Sequence, residues 1–147
     1  MVNNLLKLRK VPFLKKLSYY LLKIIGVEIP LSVKIGKNVE FPHWSYGLVI
    51  HPNTTIEDNV KIYQGVTLGR ADIYRHHSKS KFEGILIKRG AIICAGAKVL
   101  CKKGVLIVGE NTVIGANSVL FESTGDNEVW GGIPARKIGE RKDLLEQ

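Results

Sequence analysis

Cysteine is scarce, with only Cys94 and Cys101 in 147 residues. They form no CxxC pair, and no histidine stands beside them at metal-ligand spacing. The pattern therefore offers no metal site, and small core thiols in a reducing compartment are expected in preference to a disulfide. Long apolar runs are also missing. The N-terminal leucines and isoleucines are broken throughout by lysines and an arginine, so neither a cleavable signal peptide nor the ~20 apolar residues of a spanning helix can be read there. A cytoplasmic location is expected, with the inner face of the membrane as an option. No G-x-G-x-x-G opens a helix and no G-x-x-x-x-G-K-[ST] is present, which removes the usual dinucleotide and nucleotide cradles. Aromatic residues make up 7% and are not interleaved with the basic ones, so a nucleic-acid partner is not expected.

What is present suits one domain of many tight turns. Glycine is frequent at 15, hydrophobic residues make up 45% and charged residues 24%. The 22 Lys and Arg outnumber the 13 Asp and Glu, and the net charge of +9 favours an anionic partner such as a membrane surface or a phosphorylated ligand.

Residues 1–26, MVNNLLKLRKVPFLKKLSYYLLKIIG, carry apolar residues at helical spacing with Lys7, Arg9, Lys10, Lys15, Lys16 and Lys23 between them. Pro12 separates or opens helical pieces, and Gly26 is a C-terminal stop. Such a segment either caps the end of the following fold or lies on an anionic membrane. From Ile29 a six-residue repeat takes over: IPLSVK, IGKNVE, FPHWSY, then after three extra residues IHPNTT, IEDNVK and IYQGVT. It dissolves into ADIYRHHSKSKFEG, resumes as IKRGAI and ICAGAK, slips at VLCKKGVLI, and recovers as VGENTV and IGANSV. A period of six fits neither a helix nor a plain alternating strand. It fits a β-solenoid in which each repeat supplies one short strand and one turn, with the aliphatic residue inward and Gly or Asn at turn positions.

The ordered series FPH, VTLG, AGAK and G-x-PAR, set in this repeat, resembles the hexapeptide-repeat acyltransferases. It looks most like the serine acetyltransferase branch and the related acetyltransferases of bacterial surface-polysaccharide clusters. The similarity runs over about residues 27–140, followed by a tail at 141–147. The resemblance implies a mainly β fold, a left-handed parallel β-helix with a short N-terminal helical segment, assembled as a homotrimer. Acetyl-CoA, as co-substrate, would lie in the groove between subunits, and no metal is required.

Acetyl transfer from a thioester to a hydroxyl needs a base for the hydroxyl proton and a donor for the oxyanion. Histidine suits the first task because it titrates near neutrality. The family pattern places His43 at the base and Glu28 where the serine enzymes have an aspartate that orients it. His51 is read as structural or substrate-lining. Gly69, Ala95 and Ala116 match the small residues beside pantetheine, and Arg136 and Lys137 match the position near the coenzyme phosphates. The serine enzymes carry a second histidine where gapless alignment puts Gly84. His76 or His77, in the loop 71–84, could replace it, or the loop could simply contact an anion.

That mismatch, and the shortness of residues 1–26, point toward a sugar or glycan hydroxyl in surface-polysaccharide synthesis as the acceptor. Trp44 and Tyr46 would then form an aromatic platform. Serine O-acetylation in cysteine biosynthesis is the alternative, and a non-catalytic solenoid scaffold is the alternative of another class.

Overall fold

The structure is a computed structural model that describes residues 1–142, with the backbone alone at His77. The tail expected at 141–147 lies almost wholly outside the described residues.

Two helices, α1 (Val2–Lys7) and α2 (Lys15–Ile24), are joined by 3₁₀ turns at Leu8–Lys10 and Pro12–Leu14. Pro12 opens the second piece, where its missing N–H is no loss. Gly26, at φ +74°, ends the helical segment. The strands that follow are short: β1 (Lys34–Ile35), β2 (Val49–Ile50), β3 (Thr54–Ile56), β4 (Lys61–Ile62), β5 (Thr67–Arg70), β6 (Lys81–Ile87) and β7 (Ile92–Ile93). They continue as β8 (Lys98–Cys101), β9 (Lys103–Val108), β10 (Val113–Ile114), β11 (Val119–Leu120), β12 (Glu128–Gly132) and β13 (Ala135–Glu140).

Successive strands wind onto three sheets in turn. Their orders are β1-β3-β6-β9, β4-β7-β10-β12-β13 and β2-β5-β8-β11. Pairing is parallel except between β12 and β13. The repeat explains this directly, because the aliphatic residue of each unit falls in register with its counterpart one coil away. Ile50, Leu68, Val99 and Leu120 stack on one face, Ile56, Ile87 and Val108 on the second, and Ile62, Ile93, Ile114 and Trp130 on the third. All of these are buried, and each fully buried aliphatic contributes about 1.5–3 kcal/mol.

Two of the three corners carry the same kinds of turn residue from coil to coil. One runs through Asn38, Asn59, Gly90, Asn111 and Asn127, all at positive φ, with side-chain amides bonded from coil to coil. The next runs through Gly47, Gly65 and Gly96. A Cβ on Gly96 would meet the Asn117 Oδ1 at 2.1 Å, so φ of +72° and the close stacking both demand glycine there.

The third corner carries the two later breaks in the repeat, the loop after β5 and the slip between β8 and β9. Asp72, buried at the base of the loop, accepts hydrogen bonds from Arg70 Nε at 2.8 Å and Ser80 Oγ at 2.6 Å. Those bonds, Ser80's first, hold its carboxyl below the usual aspartate range.

Both ends of the solenoid are covered. Val2 and Leu22 join the core at the first coil, Asn3 donates to the Val39 carbonyl at 2.9 Å, and the Arg9 guanidinium donates to the carbonyls of Ile29 and Pro30. At the other end β13 folds back against β12.

Candidate active site

Phe41 continues the inward column, and the chain then needs three more residues than the next coil to turn the same corner. The excess is taken up by His43, Trp44 and Ser45, at φ of 51°, 60° and 46°. Three successive non-glycine residues in the left-handed region cost about 1–2 kcal/mol each, and such strain gathers at functional sites. Ser45 holds the turn from beneath: fully buried, its hydroxyl is shared between the carbonyls of Ile62 at 2.9 Å and Pro42 at 3.2 Å. The result lifts His43 into solvent, with its ring 6.0 Å from that of Tyr63 on the following coil. Trp44 and Tyr46 are both about half exposed, with ring centroids 5.7 Å apart.

Two neighbours of this corner were missed from sequence. Tyr63 and Gln64 occupy turn positions that the repeat makes look ordinary, although counting one coil forward from Phe41 to Ile62 would have put them beside Pro42 and His43. The Gln64 Oε1 is sealed from solvent with no partner among the described residues, an acceptor with no donor of its own.

Glu28 sits at the start of the same face, bridged to Val49. Its carboxylate pairs with Lys23 of α2 at 3.3 Å, and no hydrogen bond joins it to His43 among the described residues. His51 accepts from the Asn53 N–H at 3.1 Å through Nδ1 and packs edge-on against Phe82, a structural setting. In the loop, His76 is exposed and its Nδ1 lies 2.9 Å from Ser78 Oγ. The side chain of His77 lies outside the described residues.

Ala95 and Ala116 stack on the corner that carries His43, linked by the Asn117 N–H donating to the Ala95 carbonyl at 2.9 Å. Gly69, in β5, lies farther along the adjoining face, opposite Leu100. Arg136 and Lys137 stand on β13 and are paired with carboxylates, Arg136 with Glu122 at 3.0 Å and Lys137 with Glu128 at 3.1 Å and Glu140 at 3.2 Å. The bond from Glu128, ahead of that from Glu140, holds the Lys137 ammonium above its ordinary pKa. Cys94 and Cys101 are free thiols whose pKa burial raises. No cluster of His, Cys, Asp or Glu suited to a metal occurs among the described residues.

No family model matches the chain. Individual proteins do. The serine acetyltransferase of Haemophilus influenzae is 34% identical over 132 residues, covering 87% of this chain and 46% of that protein. The serine acetyltransferase of Staphylococcus aureus is 40% identical over 113 residues, covering 77% and 49%. A crystal structure of the Brucella abortus serine acetyltransferase in complex with coenzyme A superposes with a TM-score of 0.72 at 34% identity, over 90% of this chain and 51% of that one. The chain thus spans about half the length of the relatives it matches.

These matches correct the expected glycan acceptor, since the relatives are serine acetyltransferases. A side chain at Gly84 would meet the Asn53 carbonyl at 2.8 Å, so glycine there reflects close packing of β6 on the preceding coil. The short lead before the coils cannot weigh against serine when only half of each relative is matched. The fold is the left-handed parallel β-helix of these proteins, and over the half of their length that it spans the chain is similar to serine acetyltransferases.

Proposed function

We propose that the chain catalyses transfer of acetyl from acetyl-CoA to the hydroxyl of serine, with His43 as general base. The observation that carries this reading is the strained turn at 43–45, which spends conformational energy to hold an imidazole in the open on a corner of small residues. The similarity to serine acetyltransferases supplies the acceptor.

In the proposed reaction, His43 accepts the serine hydroxyl proton as the oxygen attacks the thioester carbonyl carbon. The carbon–sulfur bond then breaks, and the imidazolium returns the proton to the departing thiolate. The products are O-acetylserine and the free coenzyme thiol. Glu28 would orient the imidazole after exchanging its ion pair with Lys23, a pair exposed enough on both sides to exchange cheaply. Ala95 and Ala116 would leave room for pantetheine along the corner, and Gly69 would extend that path. Arg136 and Lys137 would meet the coenzyme phosphates by trading carboxylate partners. Trp44 and Tyr46 would wall the acceptor side. A homotrimer would complete each site with a second chain.

The test is release of coenzyme A thiol from acetyl-CoA, with serine and with nucleotide sugars and oligosaccharides as acceptors. Serine should support turnover, and His43→Ala should lower kcat by about 10²–10⁴-fold. Release with a sugar but not with serine would overturn the acceptor, and unchanged turnover in His43→Ala would remove the base.

A further inference from the structure

The repeat breaks twice after the first coils, and both breaks sit at the same corner. Between the inward residues Leu68 and Ile87 the chain inserts the loop, and between Val99 and Val108 it inserts the Cys101–Gly104 slip. The pairing of β6 with β9 stacks them, with Lys81 directly opposite Lys103. Like charges facing each other across adjacent strands are destabilising unless something neutralises them. Lys102 follows from the slip and Arg75 from the loop. Together Arg75, Lys81, Lys102 and Lys103 line a cleft of about 270 Å³, and no carboxylate is among its described lining residues. None of the four takes part in an ion pair among the described residues, although eight such pairs join other described residues.

The backbone carrying these cations is anchored. The Arg75 N–H donates to the Asp72 carbonyl at 2.9 Å, and Asp72 is itself locked by Arg70 and Ser80. The Arg75 guanidinium lies 5.8 Å from the Tyr74 ring centroid. On the other wall the Cys101 thiol bonds the carbonyls of Lys103 and Gly104, both at 3.4 Å.

We propose that this cleft binds a phosphate-bearing small molecule. Four converging cations call for more than the single charge of a carboxylate, and phosphate oxygens accept charge-assisted bonds from both arginine and lysine. The volume falls just under the ~300–1,000 Å³ of drug-sized ligand sites, room enough for one phosphate or a diphosphate. The assignment does not depend on the acetyl acceptor.

Calorimetric titration of pyrophosphate into the full chain tests it. Saturable binding is expected, weakened about tenfold or more in Lys102→Gln/Lys103→Gln. A control pair that removes the same charge from β1 and the turn after it, Lys34→Gln/Lys37→Gln, should stay within about twofold of wild type, since remote exposed charges are screened. No saturable binding by the wild type overturns the proposal. So does equal weakening in both double variants, which would mean that the net positive charge alone attracts the anion. Repeating the titration with saturating coenzyme A identifies the source. Competition assigns the cleft to the coenzyme's own phosphates, and unchanged affinity assigns it to a separate phosphorylated ligand; either keeps it a phosphate site.

Discussion

His43, Trp44 and Ser45 pass in succession through the left-handed region, and the Ser45 hydroxyl ties the turn to the Ile62 carbonyl. Replacing Ser45 by Ala deletes that tie and leaves the Ile62 carbonyl short of a donor inside the core. A loss of about 1–3 kcal/mol in denaturant unfolding is expected, with kcat falling while the KM for acetyl-CoA holds. A purely structural role would leave kcat unchanged in the folded fraction. Trp44→Ala, on the exposed side of the turn, should raise the acceptor KM more than the acetyl-CoA KM. Asp72 sets a pH dependence of another kind. Its folded pKa is lowered by Ser80 and Arg70, so its contribution is complete above the ordinary aspartate pKa of about 3.9 and is lost as pH falls through the lower folded value. Proteolytic cutting of the loop should therefore rise in that acid window, and Asp72→Asn should show the raised cutting already at neutral pH.

At the level of elements, corners and caps matter more than strand propensity, because most strands are only two to four residues long. The Gly47–Gly65–Gly96 corner stacks backbone on backbone. Gly96→Ala would force a Cβ into Asn117 at positive φ, and a loss of about 2 kcal/mol or more in unfolding free energy is expected from strain and clash together. The N-terminal helices resolve the two readings of residues 1–26 only in part. The inner side of α2 is a cap, with Leu22 and Ser18 fully buried, so Leu22→Ala should cost about 2–5 kcal/mol. The outer side exposes Leu17, Tyr20 and Ile24, and the turn before it exposes Phe13. No helix among the described residues is long and apolar enough to cross a membrane.

For the whole molecule, a solenoid must finish both of its open ends, and here it uses different devices. Helices close the first coil, and the antiparallel return of β13 closes the last. Deleting residues 1–26 would bare Val27, Ile29 and the unpaired edge of the first coil. The truncated chain should aggregate at concentrations where the intact chain stays dispersed, as light scattering would show.

The sequence by itself determined the coil. A period of six with aliphatic residues at one phase can bury those residues only by stacking them, and Ile50 and Leu68 or Ile62, Ile93 and Ile114 lie where counting places them. The same counting put His43 on a corner, since Phe41 had to stay inward. What counting could not reach depends on distances between residues remote in the chain. Glu28 turns to Lys23, Arg136 and Lys137 turn to Glu122, Glu128 and Glu140, and Gly84 is glycine because the Asn53 carbonyl comes within 2.8 Å of where its Cβ would be. The two slips in the repeat looked unrelated along the chain. Only the winding of the coil, which lays β9 on β6, brings their cations into one cleft.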